Sequence, residues 1–254
     1  WLYFSDRLVE FPLGIFGVAL GTVILPRLAG EHARANPERF SATLDWALRW
    51  VLLIAAPATV GLIMLALPML ATLFLYGEFT QLDALAASMS LTTYGLGLAG
   101  FILVKVAAPG YFARQDTRTP VRFAAISLLV NMVLSTAAVL ALRDTGMGHA
   151  ALALATAIAA SLNAAMLLGG LRRLGVYRPE AGWRRLGRQV AAATLLMALV
   201  LYWPAAQTGL WLEGTLWQRA GALSATIATG AAVYFGALTL LGVRWRELRE
   251  PAAQ

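Results

Sequence analysis

Residues 5–29 read SDRLVEFPLGIFGVALGTVILPRLA, a stretch in which Asp6, Arg7, Glu10 and Arg27 are the only charges and residues 11–26 carry none. Such a run is long enough to cross a ~30 Å hydrocarbon core as a helix. It lacks the period-2 alternation of a barrel strand, and a core without water obliges backbone groups to pair within their own segment. The rest of the chain follows suit. Of 254 residues, 59% are apolar and 13% charged, and the mean hydropathy is +0.69, values that belong to a membrane protein rather than a soluble domain. Further apolar runs place spans at about 2–27, 46–75, 84–107, 121–142, 149–171, 189–206 and 216–242. The expected fold is all-α: a polytopic membrane bundle of seven transmembrane helices.

Arginines orient it. They gather in alternate connections: Arg27, Arg34 and Arg39; Arg114, Arg118 and Arg122; Arg172, Arg173, Arg178, Arg184, Arg185 and Arg188; and Arg244, Arg246 and Arg249 in the tail. The intervening loops are nearly bare, YGEFTQLD (76–83) having no Lys or Arg and RDTGMGH (143–149) only Arg143. The positive-inside rule puts the basic loops and the C-terminus in the cytoplasm and Trp1 outside. Topology thus accounts for the net charge of +7, and no nucleic acid partner is expected. In RRLGVYRPEAGWRRLGR (172–188), Trp183 and Leu186 among basic residues read as a short helix lying on the membrane, with anionic lipid as a further partner.

Enzymatic chemistry finds little footing. There are no cysteines, His32 and His149 are isolated, and no carboxylate pair within one loop resembles a hydrolytic site, so neither a metal, a cofactor nor a hydrolytic site is expected. A membrane-embedded transferase would need a carboxylate cluster facing one leaflet. GLGLAG (95–100) fits a dinucleotide-type glycine string, but no strand precedes it and it lies within a span.

The three charges at the start of the first span then stand out. A charge at the helix centre costs about 2.5–3.5 kcal/mol on insertion scales, so such residues face a bundle interior or a water-filled cavity, or snorkel to the interface. Asp6, Arg7 and Glu10, spaced three and four apart, share roughly one face. Pro12 removes the donor to the Leu8 carbonyl and invites a bend beside them. Broken helices next to charged groups recur at transporter binding sites. The chain starts at Trp1, already inside a span, and reads as a piece: the second half of a fourteen-span transporter, or else a seven-helix receptor or retinal protein. A retinal Schiff base needs a lysine in the last span, and the one lysine, Lys105, is in the third.

Two stretches bear a family resemblance. Residues 5–29 resemble the segment opening the second lobe of the MurJ (MviN) family of the MOP exporter superfamily, and KVAAPGYFARQDTRTPVR (105–122) is similar to a second signature of that family. The resemblance implies a flippase of the bacterial cytoplasmic (inner) membrane. It would carry lipid-linked peptidoglycan precursor, lipid II, from inner to outer leaflet by alternating access against an N-terminal lobe missing here, with cell-wall synthesis proteins as further partners. Arg7 matches the family's cavity arginine and Glu10 a nearby acidic residue; with Asp6 they would form the substrate site. A guanidinium suits the cargo's pyrophosphate. The resemblance divides the chain into a transport bundle (1–188) and two additional spans with a short tail (189–254), the latter forming a groove for the polyprenyl tail. Another MOP-type exporter of lipid-linked oligosaccharides or drugs, or a membrane scaffold for wall synthesis, is the alternative.

Further expectations attach to single positions. Pro12 and Gly14 mark a helix break; Gly14, Gly17 and Gly21 form a small-residue face. Pro57 and Pro68 should kink the second span, and Arg114 and Asp116 sit in a tight turn that could serve as hinge or inner gate. Asn131, Ser135 and Asn163 read as interhelical glue, and Trp203, Trp211 and Trp217 as an outer aromatic belt. Relatives proposed to bind sodium are expected to hold an acidic residue in the fourth span, where 121–142 has none.

Overall fold

The computed structural model describes residues 1–142 and 145–243, with backbone alone for 16–20. Arg143 and the tail arginines, on which part of the topology rests, lie outside the described residues. Among the described residues ten α-helices follow one another: α1 (Leu2–Pro12), α2 (Ala19–Ala33), α3 (Pro37–Met64), α4 (Ala66–Phe74), α5 (Gln81–Phe112), α6 (Arg118–Leu142), α7 (Gly148–Arg173), α8 (Trp183–Ala205), α9 (Thr208–Glu213) and α10 (Leu216–Leu240). Six of them, α3, α5, α6, α7, α8 and α10, are long and apolar enough to cross a membrane. The chain is a multi-pass membrane protein.

The first expected span is not one regular helix. After Pro12 the backbone opens into a π-helical segment, Leu13–Val18, before α2 resumes the α-helical register. Pro12 has no N–H for the Leu8 carbonyl, and glycines at 14 and 17 hold no particular register, so the local widening absorbs the mismatch. The second span also divides, into α3 and α4, with Leu65 between them at φ −101°, ψ 16°. Pro57 lies within continuous helix, whereas Pro68, third residue of α4, cannot donate to the carbonyl across the break. Asn36 starts α3 nine residues before the expected boundary, its side chain accepting the Arg39 N–H at 3.0 Å with Pro37 at the first helical position.

Packing centres on α3 and α5. One apolar cluster joins α1, α2, α3, α5 and α7 through residues such as Leu44, Leu91, Ile102 and Leu171; a second joins α3 and α4 to α8, α9 and α10 through Leu53, Met197, Trp211 and Tyr234. The glycine string of α5 brings α7 close. A Cβ on Gly97 would lie 2.6 Å from the Ala157 Cα, and one on Gly100 2.9 Å from the Ser161 backbone. GLGLAG is thus a packing face for α7, as small residues are in lipid, where no hydrophobic effect drives helices together. Of the expected face of Gly14, Gly17 and Gly21, Gly14 has open space beside it and Gly21 only ordinary contact with the Lys105 carbonyl at 3.7 Å, while the surroundings of Gly17 lie outside the described residues.

The connections sort by charge. Ser41, near the start of α3, bonds the Arg178 backbone in the 174–182 connection, and Tyr111 at the end of α5 donates to the Leu167 carbonyl, so these arginine-rich connections share one end. At the other end Trp1 donates to Asp83 and packs edge-on against His149, and Gln81 donates to the Leu212 carbonyl. Two expectations change here. Residues 183–188 form no separate surface helix but the first turns of α8. Trp211 does not face the membrane; it is fully buried with its indole N–H on the Pro204 carbonyl at 2.8 Å, while Trp203 and Trp217 stay exposed.

Candidate functional site

Arg7 and Glu10 meet on α1. Arg7 Nη1 lies 2.9 Å from Glu10 Oε2, one turn apart on the face turned away from the core, and both side chains are more than half exposed, 56% and 53%. The guanidinium also stands 5.0 Å from the Tyr3 ring centroid. Asp6 is exposed on the same helix but joins no ion pair with Arg7 among the described residues, so the expected three-membered network is a pair. Behind that face α1 is fixed: Ser5 Oγ, buried, donates to the Ala87 carbonyl at 2.7 Å, and Leu8 and Val9 enter the core. Sequence alternation of this kind, core residues at 5, 8 and 9 against charges at 6, 7 and 10, is what turns the charges outward.

The pair adjoins two changes of environment. One turn further along, Pro12 and Gly14 stand at the entry to the π-helical segment. Phe11 and Pro12 also line a cavity of about 380 Å³ walled by Pro57 and Gly61 of α3, Leu201 of α8, and Gly230 and Tyr234 of α10. Nearly all of its lining is apolar. Tyr234 directs its hydroxyl away to the Leu53 carbonyl at 2.8 Å, which leaves the ring as wall. A forked cation beside an apolar slot is the arrangement that receives an amphiphile with an anionic head.

At the basic end, Arg114 and Asp116 occupy a tight turn. Asp116 Oδ1 accepts the Thr119 N–H at 3.0 Å and so starts α6, while Gln115 takes the left-handed backbone at φ +61°. The hydrogen bonding from Thr119 holds the Asp116 carboxyl below the usual carboxylate range. Arg114 is half-buried, its backbone N–H on the Tyr111 carbonyl. Turn and charge are both there; their contacts are with this same turn.

The polar residues of the later spans also depart from expectation. Ser135 donates to Asn131 at 3.2 Å within α6 itself, rather than across to another helix, and Asn163 Oδ1 is buried with no partner among the described residues.

The most elaborate charged group went unnoticed in the sequence. Asp45, on α3, is completely buried. Its Oδ1 accepts the Trp183 indole N–H at 2.7 Å, the Tyr177 hydroxyl at 3.0 Å and the Glu180 N–H at 3.2 Å, and its Oδ2 accepts Arg49 Nε at 2.6 Å. Arg49 in turn donates to the Ala181 carbonyl at 2.8 Å. Burial, and after it the neighbouring Asp45 carboxylate, push the Tyr177 phenol above its ordinary range. Buried and enclosed by four donors, this carboxylate holds the 177–183 connection and the start of α8 and is closed to a ligand. The sequence signal for it is the i,i+4 spacing of Asp45 and Arg49, which becomes visible as a helical pair only because α3 begins at Pro37, ahead of the apolar run.

Comparison with known proteins gives a consistent answer. A family model described as "Lipid II flippase MurJ" matches residues 1–220. A probable lipid II flippase MurJ of Vibrio cholerae is 44% identical over 249 residues, covering 98% of this chain and 46% of that protein. The lipid II flippase MurJ of Burkholderia cenocepacia is 40% identical, covering 99% and 48%. A solved structure, lipid II flippase MurJ in an inward closed conformation, superposes with a TM-score of 0.75 at 25% identity over 98% of this chain and 47% of that one. The chain spans about half the length of the curated relatives it matches.

Proposed function

From the premise that this chain belongs to the lipid II flippase MurJ family, we propose that it forms the second lobe of a lipid II flippase of the bacterial inner membrane. In this reading it is a transporter and not an enzyme, its basic loops and C-terminus face the cytoplasm, and an N-terminal lobe completes the path. Residues 1–188 act as the transport bundle and 189–254 as an appended pair that shelters the cargo's tail.

The observation that carries the reading is the half-exposed Arg7–Glu10 pair beside the apolar cavity of α1, α3, α8 and α10. Lipid II joins a pyrophosphate to a polyprenyl chain. Arg7 offers the phosphate oxygens a fixed charge with forked donors, and Glu10 aims the guanidinium without cancelling its field. Asp6, on the same helix, tempers the local charge. The apolar cavity takes part of the chain. The bend at Pro12 and Gly14 lets the charged end of α1 move relative to α2 as the lobes rock, and the Arg114–Asp116 turn closes the inner side.

Arg7→Ala tests this directly. Outer-leaflet exposure of lipid II should collapse while the protein remains inserted and abundant, and Arg7→Lys, which keeps charge but not the fork, should restore it only in part. Normal exposure in Arg7→Ala would sink the charge-recognition mechanism.

A further inference from the structure

A second cavity, of about 280 Å³, lies at the opposite, basic end of the molecule, between α3, α5 and α7. Ala56, Leu103 and Leu168 belong to its apolar wall; Tyr177 and Trp183 form its lip. Arg172, exposed at the last turn of α7, is its one charged lining residue. Along α3 the lining runs from Leu48 to Ala56, about 12 Å at 1.5 Å per residue. The lip is built, since Asp45 fixes both aromatic rings by hydrogen bonds of 3.0 and 2.7 Å. Arg172 stacks 5.5 Å from the Tyr177 centroid, and no carboxylate lies within ion-pair distance of it among the described residues.

We infer that this cavity holds an acyl chain of an anionic glycerophospholipid from the leaflet at the basic end, with the phosphate on Arg172. Charge complementarity selects the headgroup: residues 172–188 carry six arginines against the single carboxylate Glu180. Each basic side chain at a membrane surface favours an anionic headgroup by about fivefold. The Asp45 cluster keeps the lip open by holding Tyr177 and Trp183 against α3 instead of letting them fill the slot. The cavity is separate from the one beside Arg7, with which it shares no lining residue.

The test uses the protein in its natural length, reconstituted in phosphatidylcholine bilayers containing a photoreactive acyl chain carried by either phosphatidylglycerol or phosphatidylcholine. Labelled residues are read by peptide mass spectrometry. Phosphatidylglycerol should label the segments around Ala56, Leu103 and Leu168 about fivefold more than phosphatidylcholine. Arg172→Gln, a surface change that leaves the fold intact, should bring the two lipids level; Ala56→Leu, which fills the slot, should remove labelling there by both. Equal labelling by the two lipids in the unmodified protein, or undiminished phosphatidylglycerol labelling in Arg172→Gln, would overturn the assignment. So would labelling of the same residues by a photoreactive polyprenyl phosphate that displaces the phospholipid, since the slot would then serve the cargo. Because the readout is occupancy of this slot and not transport, it stands or falls apart from the Arg7 test.

Discussion

Two arginine–carboxylate pairs, one on α1 and one on α3, show how differently the same chemistry can be used. Arg7 and Glu10 on α1 are joined by one contact at 2.9 Å and are more than half exposed. Asp45 and Arg49 on α3 are joined at 2.6 Å with the carboxylate 1% exposed, and three further donors close around it. An exposed pair is screened by solvent and contributes little to folding, so its charges remain available to a ligand. A buried pair enclosed by further donors is costly to break and closed to ligands.

The largest effect should come from the buried pair. Asp45→Ala leaves Arg49, Tyr177 and Trp183 without their acceptor and should destabilise the fold by about 3–5 kcal/mol, seen as loss of monodisperse protein in detergent. If Asp45→Ala melts where the unmodified protein does, the Asp45–Arg49 pair does not anchor the fold. Gly97→Leu comes next. The new side chain would collide with the Ala157 backbone, and overpacking at such a contact costs about 1–3 kcal/mol, read as a lowered melting temperature.

Tyr177→Phe removes one of the four donors to Asp45 and should cost about 1 kcal/mol, a smaller shift in the same melting experiment. Glu10→Gln sharpens the other side of the comparison: the melting temperature should stay where it is while lipid II exposure changes, and a variant that melts early instead would mark the α1 pair as structural. The smallest effect concerns Asp116. A carboxyl held below its unfolded pKa of about 3.9 stabilises the fold above that value, and the contribution is lost as pH falls through the lower folded value. Asp116→Asn should therefore lower stability slightly at neutral pH, where the contribution is fully present, and flatten the acid limb of a stability–pH profile below about pH 4, where the two proteins converge.

Much of the architecture was legible because a bilayer leaves few choices. Long uncharged runs located six of the seven expected crossings as long apolar helices, the first being divided between α1, the π-helical segment and α2, and the alternation of basic and bare loops agrees with the two ends at which Ser41–Arg178 and Trp1–Asp83 tie the connections together. Arg7 and Glu10 could be singled out since charge within an apolar run needs a reason. Interruptions were harder. Three prolines looked equivalent, yet Pro57 is accommodated in α3, Pro68 adjoins a break, and Pro12 leads into a π-helical turn. Which of these occurs depends on what packs around the freed carbonyl, and a local pattern does not contain that. Trp211 misled for the same reason, because an aromatic residue at a span end fits an interfacial belt and a buried anchor equally well.

By itself, then, the sequence determined that the chain crosses a membrane as helices, which loops lie together, and which charges are exceptional, because hydropathy and charge act residue by residue against a uniform solvent. Only the tertiary structure decided that Asp6 stands apart from the Arg7–Glu10 pair, that GLGLAG receives α7, and that Asp45 binds residues 132 to 138 positions away in sequence. Hydrogen bonds and steric fit are short-ranged in space, and nothing in a linear chain states which distant segments will come within 3 Å of each other.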